Sequence, residues 1–114
     1  MPDAPGILTA MRWFRRRGRP GTTRRAVSTD RDHLEAWAKA HRGVEAYLEP
    51  RTTVTETTVM LIDASGEWTR RRVPSHEVAR GFATRIGIPC YDVALTGYPQ
   101  RKRDYDARRS AQGR

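Results

Sequence analysis

The chain has 114 residues, 37% of them hydrophobic, and a net charge of +9, which is enough for one small core and excludes a second domain. Its single cysteine, Cys90, excludes an internal disulfide and a cysteine-based zinc site. No apolar run reaches the length needed to span a bilayer.

The charge is unevenly spread. Residues 1–25 hold seven Arg against one Asp, residues 101–114 hold six Lys or Arg against two Asp, and residues 26–100 come to −1. The two ends therefore carry the whole excess, and polyanion binding is expected there, with strong salt dependence. Absence of a disulfide framework fits a reducing cytoplasm. A secretory signal is not expected, because the N-terminal arginines follow the short apolar stretch instead of preceding it. Pro2 stands where myristoylation would require Gly.

Residues 1–27 read as a disordered basic arm. Within it Ile7, Met11 and Phe14 would line one face of a two-turn helix ahead of Arg15-Arg16-Arg17. An apolar face beside a basic run suits an anionic membrane surface, over residues 7–19 with Leu8 and Trp13. The same arm suits RNA or DNA, with Trp13 or Phe14 stacking on bases. Pro20-Gly21-Thr22-Thr23 reads as a linker.

A first helix is expected from Ser28 or Thr29, either a good N-cap, with Asp30 and Asp32 in its first turn. Leu34, Trp37, Ala38 and His41 recur at helical spacing and form an apolar stripe. Gly43 is the expected stop. His33 and His41 lack a third ligand in the helix, so no metal is expected. His41 is read as a capping or packing residue, and His33 with Glu35 as solvated.

Val44 to Glu49 reads as a strand, with Val44, Ala46 and Leu48 on one face and Glu45, Tyr47 and Glu49 on the other. Pro50 ends it. Thr52 to Asp63 is rich in β-branched residues and reads as a long strand in the middle of a sheet. There Val59, Leu61 and Asp63 alternate with Thr58, Met60 and Ile62. Asp63-Ala64-Ser65-Gly66 supplies a turn. Glu67 to Val73 returns, placing Trp68, Arg70 and Arg72 on one face and Thr69, Arg71 and Val73 on the other. Arg70-Arg71-Arg72 is either an anion site or a set of cross-strand partners for Glu45, Glu49 or Glu56.

Ser75 is the expected N-cap of a second helix, with Val78, Ala79, Phe82, Ala83 and Ile86 as its core stripe and Gly87 as its stop. Cys90, between Pro89 and Tyr91, reads as a buried structural thiol. Tyr91 to Leu95 reads as a last strand, Gly97-Tyr98-Pro99 as a turn, and residues 100–114 as a disordered basic tail. The expected fold is a small α+β domain over residues 28–99, ordered α-β-β-β-α-β, with two helices on one face of an antiparallel or mixed sheet.

Glu49-Pro50-Arg51-Thr52-Thr53, Glu67-Trp68-Thr69-Arg70-Arg71, Gly87-Ile88-Pro89 and Gly97-Tyr98-Pro99-Gln100-Arg101 resemble stretches in a group of short uncharacterised actinobacterial proteins. The resemblance covers roughly residues 28–105 and carries no established activity. Some members bear an oxidoreductase label, yet this chain has no G-x-G-x-x-G and no C-x-x-C. The order α-β-β-β-α over roughly residues 29–87 is similar to that of the double-stranded-RNA-binding domain, which grips phosphates with a Lys-rich cluster at its second helix. Here that helix opens Ser75-His76-Glu77-Val78-Ala79-Arg80, with Glu77 where a cation would stand, and the cations lie upstream at Arg70, Arg71 and Arg72.

An enzyme would have to draw on His76, Cys90, Tyr91, Asp92, Glu45, Glu49 or Glu56, and none occurs at a spacing that pairs nucleophile with base. No cofactor is implied. The expectation is a non-enzymatic binding protein that contacts RNA or a ribosome through its basic tails, with Arg15, Arg16, Arg17, Arg70, Arg71, Arg72, Arg101, Lys102 and Arg103 as the candidate anion-binding residues. A membrane surface, a protein partner and a small enzyme are the alternatives.

Overall fold

The computed structural model describes residues 24–52 and 57–113. The chain runs α1 (Arg24–Ala40), β1 (Glu45–Leu48), β2 (Thr58–Ile62), β3 (Trp68–Arg72), α2 (His76–Ile86), β4 (Cys90–Asp92), α3 (Val93–Thr96) and α4 (Gln100–Gln112). This is the expected α+β order with two helical elements added at its end. The four-stranded sheet has the order β3-β2-β1-β4. β1, β2 and β3 pair antiparallel, and β4 joins β1 in parallel. The sheet is therefore mixed, and β2 lies in its interior as its two apolar faces require.

Strand alternation sorts the core into two layers. On the first face, Ala46, Leu48, Val59 and Leu61 meet Leu34 of α1 and Val78, Ala79, Phe82 and Ala83 of α2, with Trp37, Ala38, Ile86 and Cys90 at the margin. Both expected apolar stripes are found here, against the same face. On the second face the buried apolar set, among the described residues, is only Tyr47, Met60 and Ile62, with Trp68, Val93 and Tyr98 packed on it.

The caps of α2 follow local chemistry. Ser75 Oγ accepts from the Val78 amide at 3.1 Å, and Gly87 takes the left-handed conformation at φ 80°, ending the helix. Helix α1 starts at Arg24, a turn before the expected Ser28 or Thr29. Arg and Ala propagate a helix readily, and nothing between Gly21 and Ser28 breaks one. At its other end His41 Nδ1 bonds the Trp37 carbonyl at 2.8 Å and stacks on the Trp37 ring, centroids 3.7 Å apart, which is the capping and packing role expected of it.

Four expectations need correction. The second strand is Thr58–Ile62, shorter than the stretch Thr52 to Asp63 expected for it. His33 is not solvated, because α1 lies over β3 and brings its Nε2 within 2.7 Å of Thr69 Oγ1. The last strand stops at Asp92, whose side chain accepts from the Ala94 amide at 2.9 Å and opens the single turn α3. Residues 100–112 are a helix, not a disordered tail. Among the described residues no helix is long and apolar enough to cross a membrane.

Candidate functional site

The second face is where the unusual chemistry of the domain collects. β1 presents Glu45, Tyr47 and Glu49 on this side, because they share its even spacing. Glu49 is buried, at 6% exposure. Its Oε1 accepts from Arg70 Nε and Thr58 Oγ1, both at 2.7 Å, and its Oε2 from Arg70 Nη2 at 2.8 Å and from the Tyr98 hydroxyl. Burial alone would raise the Glu49 pKa. The bonds from Arg70, Tyr98 and Thr58 outweigh it and hold the carboxyl below its ordinary value. The same burial, with the bond to Glu49, pushes the Tyr98 hydroxyl up. A cleft of about 350 Å³ opens beside this cluster, lined by Glu49, Pro50, Thr52, Thr58, Arg70 and Tyr98.

Along the same strand Tyr47 donates to Glu45 at 2.7 Å, and burial plus that bond push the Tyr47 pKa up to about 12. Arg101 of α4 reaches Glu45 Oε1 at 2.6 Å and the Asp63 carbonyl at 2.8 Å. Trp68 Nε1 donates to Asp106 at 2.7 Å. Lys102 pairs with the same carboxylate at 2.6 Å and sits 5.0 Å from both the Trp68 and the Tyr98 ring centroids. Helix α4 is thus docked by charge, hydrogen bonds and cation–π contact. It buries no residue of its own.

The expected anion-site residues receive separate fates. Alternation along β3 sends Arg70 onto Glu49 and Arg71 toward Asp30 of α1 at 3.6 Å, while Arg72, expected on the Arg70 face, also approaches Asp30, at 3.8 Å. Arg101 and Lys102 are engaged with Glu45 and Asp106. Among the described residues, exposed Arg103 meets only neutral acceptors, Gln100 Oε1 at 3.3 Å and the Tyr98 carbonyl at 3.4 Å. Arg15, Arg16, Arg17, Glu56 and the whole 7–19 segment lie outside the described residues. Two further cations were not singled out from sequence. Exposed Arg108 reaches the Ser65 carbonyl at 3.3 Å, and exposed Arg109 reaches the Tyr105 hydroxyl at 3.1 Å.

Among the described residues, those considered for catalysis are not gathered. Cys90 packs at the margin of the first-face core, and burial raises its thiol pKa. Glu45 and Glu49 lie across the sheet from it. His76 Nε2 bonds the Glu49 carbonyl at 2.8 Å, Asp92 caps α3, and Tyr91 is exposed. A different trio does converge. His41, Asp63 and Glu67 each offer a donor atom, and these lie within 4.8 Å of one another. Sequence spacing gave no sign of it, because the partners of His41 come from the β2–β3 turn and not from its own helix.

No protein-family model, curated protein or solved structure matches the chain.

Proposed function

We propose that this protein is a non-enzymatic binding module that contacts RNA, free or in the ribosome, through arginines held away from its own carboxylates. One observation carries the reading. Arg70, Arg71, Arg72, Arg85, Arg101 and Lys102 each face an Asp or Glu of the domain, whereas exposed Arg103, Arg108 and Arg109 of α4 meet only neutral groups among the described residues. A guanidinium bonded to a carbonyl or hydroxyl keeps its full charge for an incoming phosphate. The Arg-rich N-terminal sequence adds to the same charge excess. The setting in this reading is the cytoplasm.

The test is fluorescence anisotropy of the full chain with a labelled single-stranded RNA across a salt series. Every arginine that stops neutralising a phosphate should lower the slope of log affinity against log salt by about 0.7. Arg103→Ala, Arg108→Ala and Arg109→Ala together should weaken binding and flatten the slope by up to about 2. Neutralising Arg15, Arg16 and Arg17 as well should abolish it. Unchanged affinity at low salt in the combined variant would sink the reading.

A further inference from the structure

We propose that His41, Asp63 and Glu67 form a binding site for a divalent transition-metal ion of the zinc type, with one nitrogen and two carboxylate oxygens as ligands. The imidazole of His41 is fixed in its tautomer. Its Nδ1 lies 2.8 Å from the Trp37 carbonyl, and a carbonyl oxygen can only accept, so Nδ1 carries a hydrogen. That leaves Nε2 as the atom turned toward the carboxylates. A histidine bound to metal through one nitrogen commonly donates its other N–H to a carbonyl in this way, which sets tautomer and ring orientation. Stacking on Trp37, with the planes 15° apart, holds the ring in place.

Distance separates this cluster from an ordinary hydrogen-bonded one. His41 Nε2 is 3.9 Å from Asp63 Oδ2 and 3.6 Å from Glu67 Oε1. Both exceed hydrogen-bond length. Both are close to the spacing of two ligands around a tetrahedral zinc ion, about 3.4 Å for bonds of about 2.1 Å. The two carboxylates are also differently prepared. Asp63 Oδ1 accepts from the Ser65 amide at 2.9 Å, Ser65 Oγ at 2.7 Å and the Glu67 amide at 3.1 Å. Oδ2 is the oxygen left facing His41. Glu67 is half-exposed and can adjust by the few tenths of an ångström that metal bonds require.

The other two histidines are engaged elsewhere, His33 on Thr69 and His76 on the Glu49 carbonyl. The frame around the trio is backbone. The Ala64 amide donates to the Arg42 carbonyl at 2.9 Å, and a Cβ on Gly43 would come within 3.1 Å of the Ala64 Cβ. The turn is therefore clamped against the end of α1. Three protein ligands leave a fourth position for water or a ligand atom.

The experiment uses the full, untagged chain, stripped with chelator and titrated with Co²⁺ by visible absorption and with Zn²⁺ by calorimetry. One ion per chain is expected, with the strong d–d bands of a low-coordinate Co²⁺ site and a rise in melting temperature on Zn²⁺ addition. Glu67→Gln and Asp63→Asn should weaken affinity at least tenfold, and His41→Gln should abolish the Co²⁺ bands. Glu67→Gln changes a half-exposed group, and Asp63→Asn keeps the Oδ1 acceptor, so both should melt like the metal-free parent. Absence of binding at millimolar metal overturns the proposal. So does equal affinity in the parent and in Glu67→Gln.

Discussion

The two faces of the sheet are covered by different physics. The first carries α1 and α2 on a continuous apolar layer, with Leu34, Leu48, Leu61 and Phe82 all nearly inaccessible. The second carries α4 over only three buried apolar residues among those described, Tyr47, Met60 and Ile62. Around those three, Glu45, Glu49 and Asp106 face Arg101, Arg70 and Lys102. An apolar layer is non-directional and tolerates adjustment, whereas a charged one depends on every partner being in place. The first face holds the domain together, and the second positions one helix.

The largest effect is expected from excavating the first face. Phe82→Ala should cost about 3–5 kcal/mol, the usual loss for a large buried aromatic, and should lower the urea midpoint for the whole domain by circular dichroism. Survival of the first-face core with its midpoint unchanged would mean that this layer does not hold the fold.

A smaller and more local effect is expected at the join between the β2–β3 turn and α4. Gly66 has φ +96°, and a Cβ there would lie 2.0 Å from the Arg101 carbonyl oxygen. Gly66→Ala should lift α4 away at a cost of about 1–3 kcal/mol. Trypsin would then cut faster at Arg101 to Arg109, while amide protection in α2 stays as in the parent. Equal protection of α4 in parent and variant would show that its docking does not depend on this approach.

The mildest test uses acid. Glu45, Glu49 and Asp106 are held below their ordinary values of 4.5, 4.5 and 3.8, since their bonds to Arg101, to Arg70 and to Lys102 outweigh burial. Groups with a lowered folded-state pKa add stability above the ordinary value and lose it as pH falls through the folded one. Lowering pH from 7 to below about 4 should therefore release α4 before the first-face core opens. Hydrogen exchange resolved by residue would show it as early loss of protection in residues 100–112. Simultaneous loss on both faces would erase the distinction between them.

What was legible in the sequence follows the same division. The period of Leu34, Trp37 and Ala38, and of Val78, Phe82 and Ile86, is a one-dimensional trace of the first face. So are the strand alternations, which put Val59 and Leu61 on the face opposite Met60 and Ile62. Helix α4 left no such trace. Its sequence QRKRDYDARRSAQ has no apolar stripe, and its docking partners Glu45 and Trp68 lie on β1 and β3, far away along the chain. The partners of His41 were hidden for the same reason.

Local sequence was enough to read the order of elements from α1 to β4, the faces of β1 and β2, the caps of α2 and the near-neutral stretch between two basic ends. These depend on neighbours within a few residues, where backbone geometry dictates which side chains share a face. Long-range packing set the parallel seat of β4 beside β1, the pairing of Arg70 with Glu49 and the helix over the second face. It also decided which arginines of α4 stand apart from the described carboxylates. Those outcomes rest on charges and hydrogen bonds between residues remote in sequence, and such pairings have no period to read.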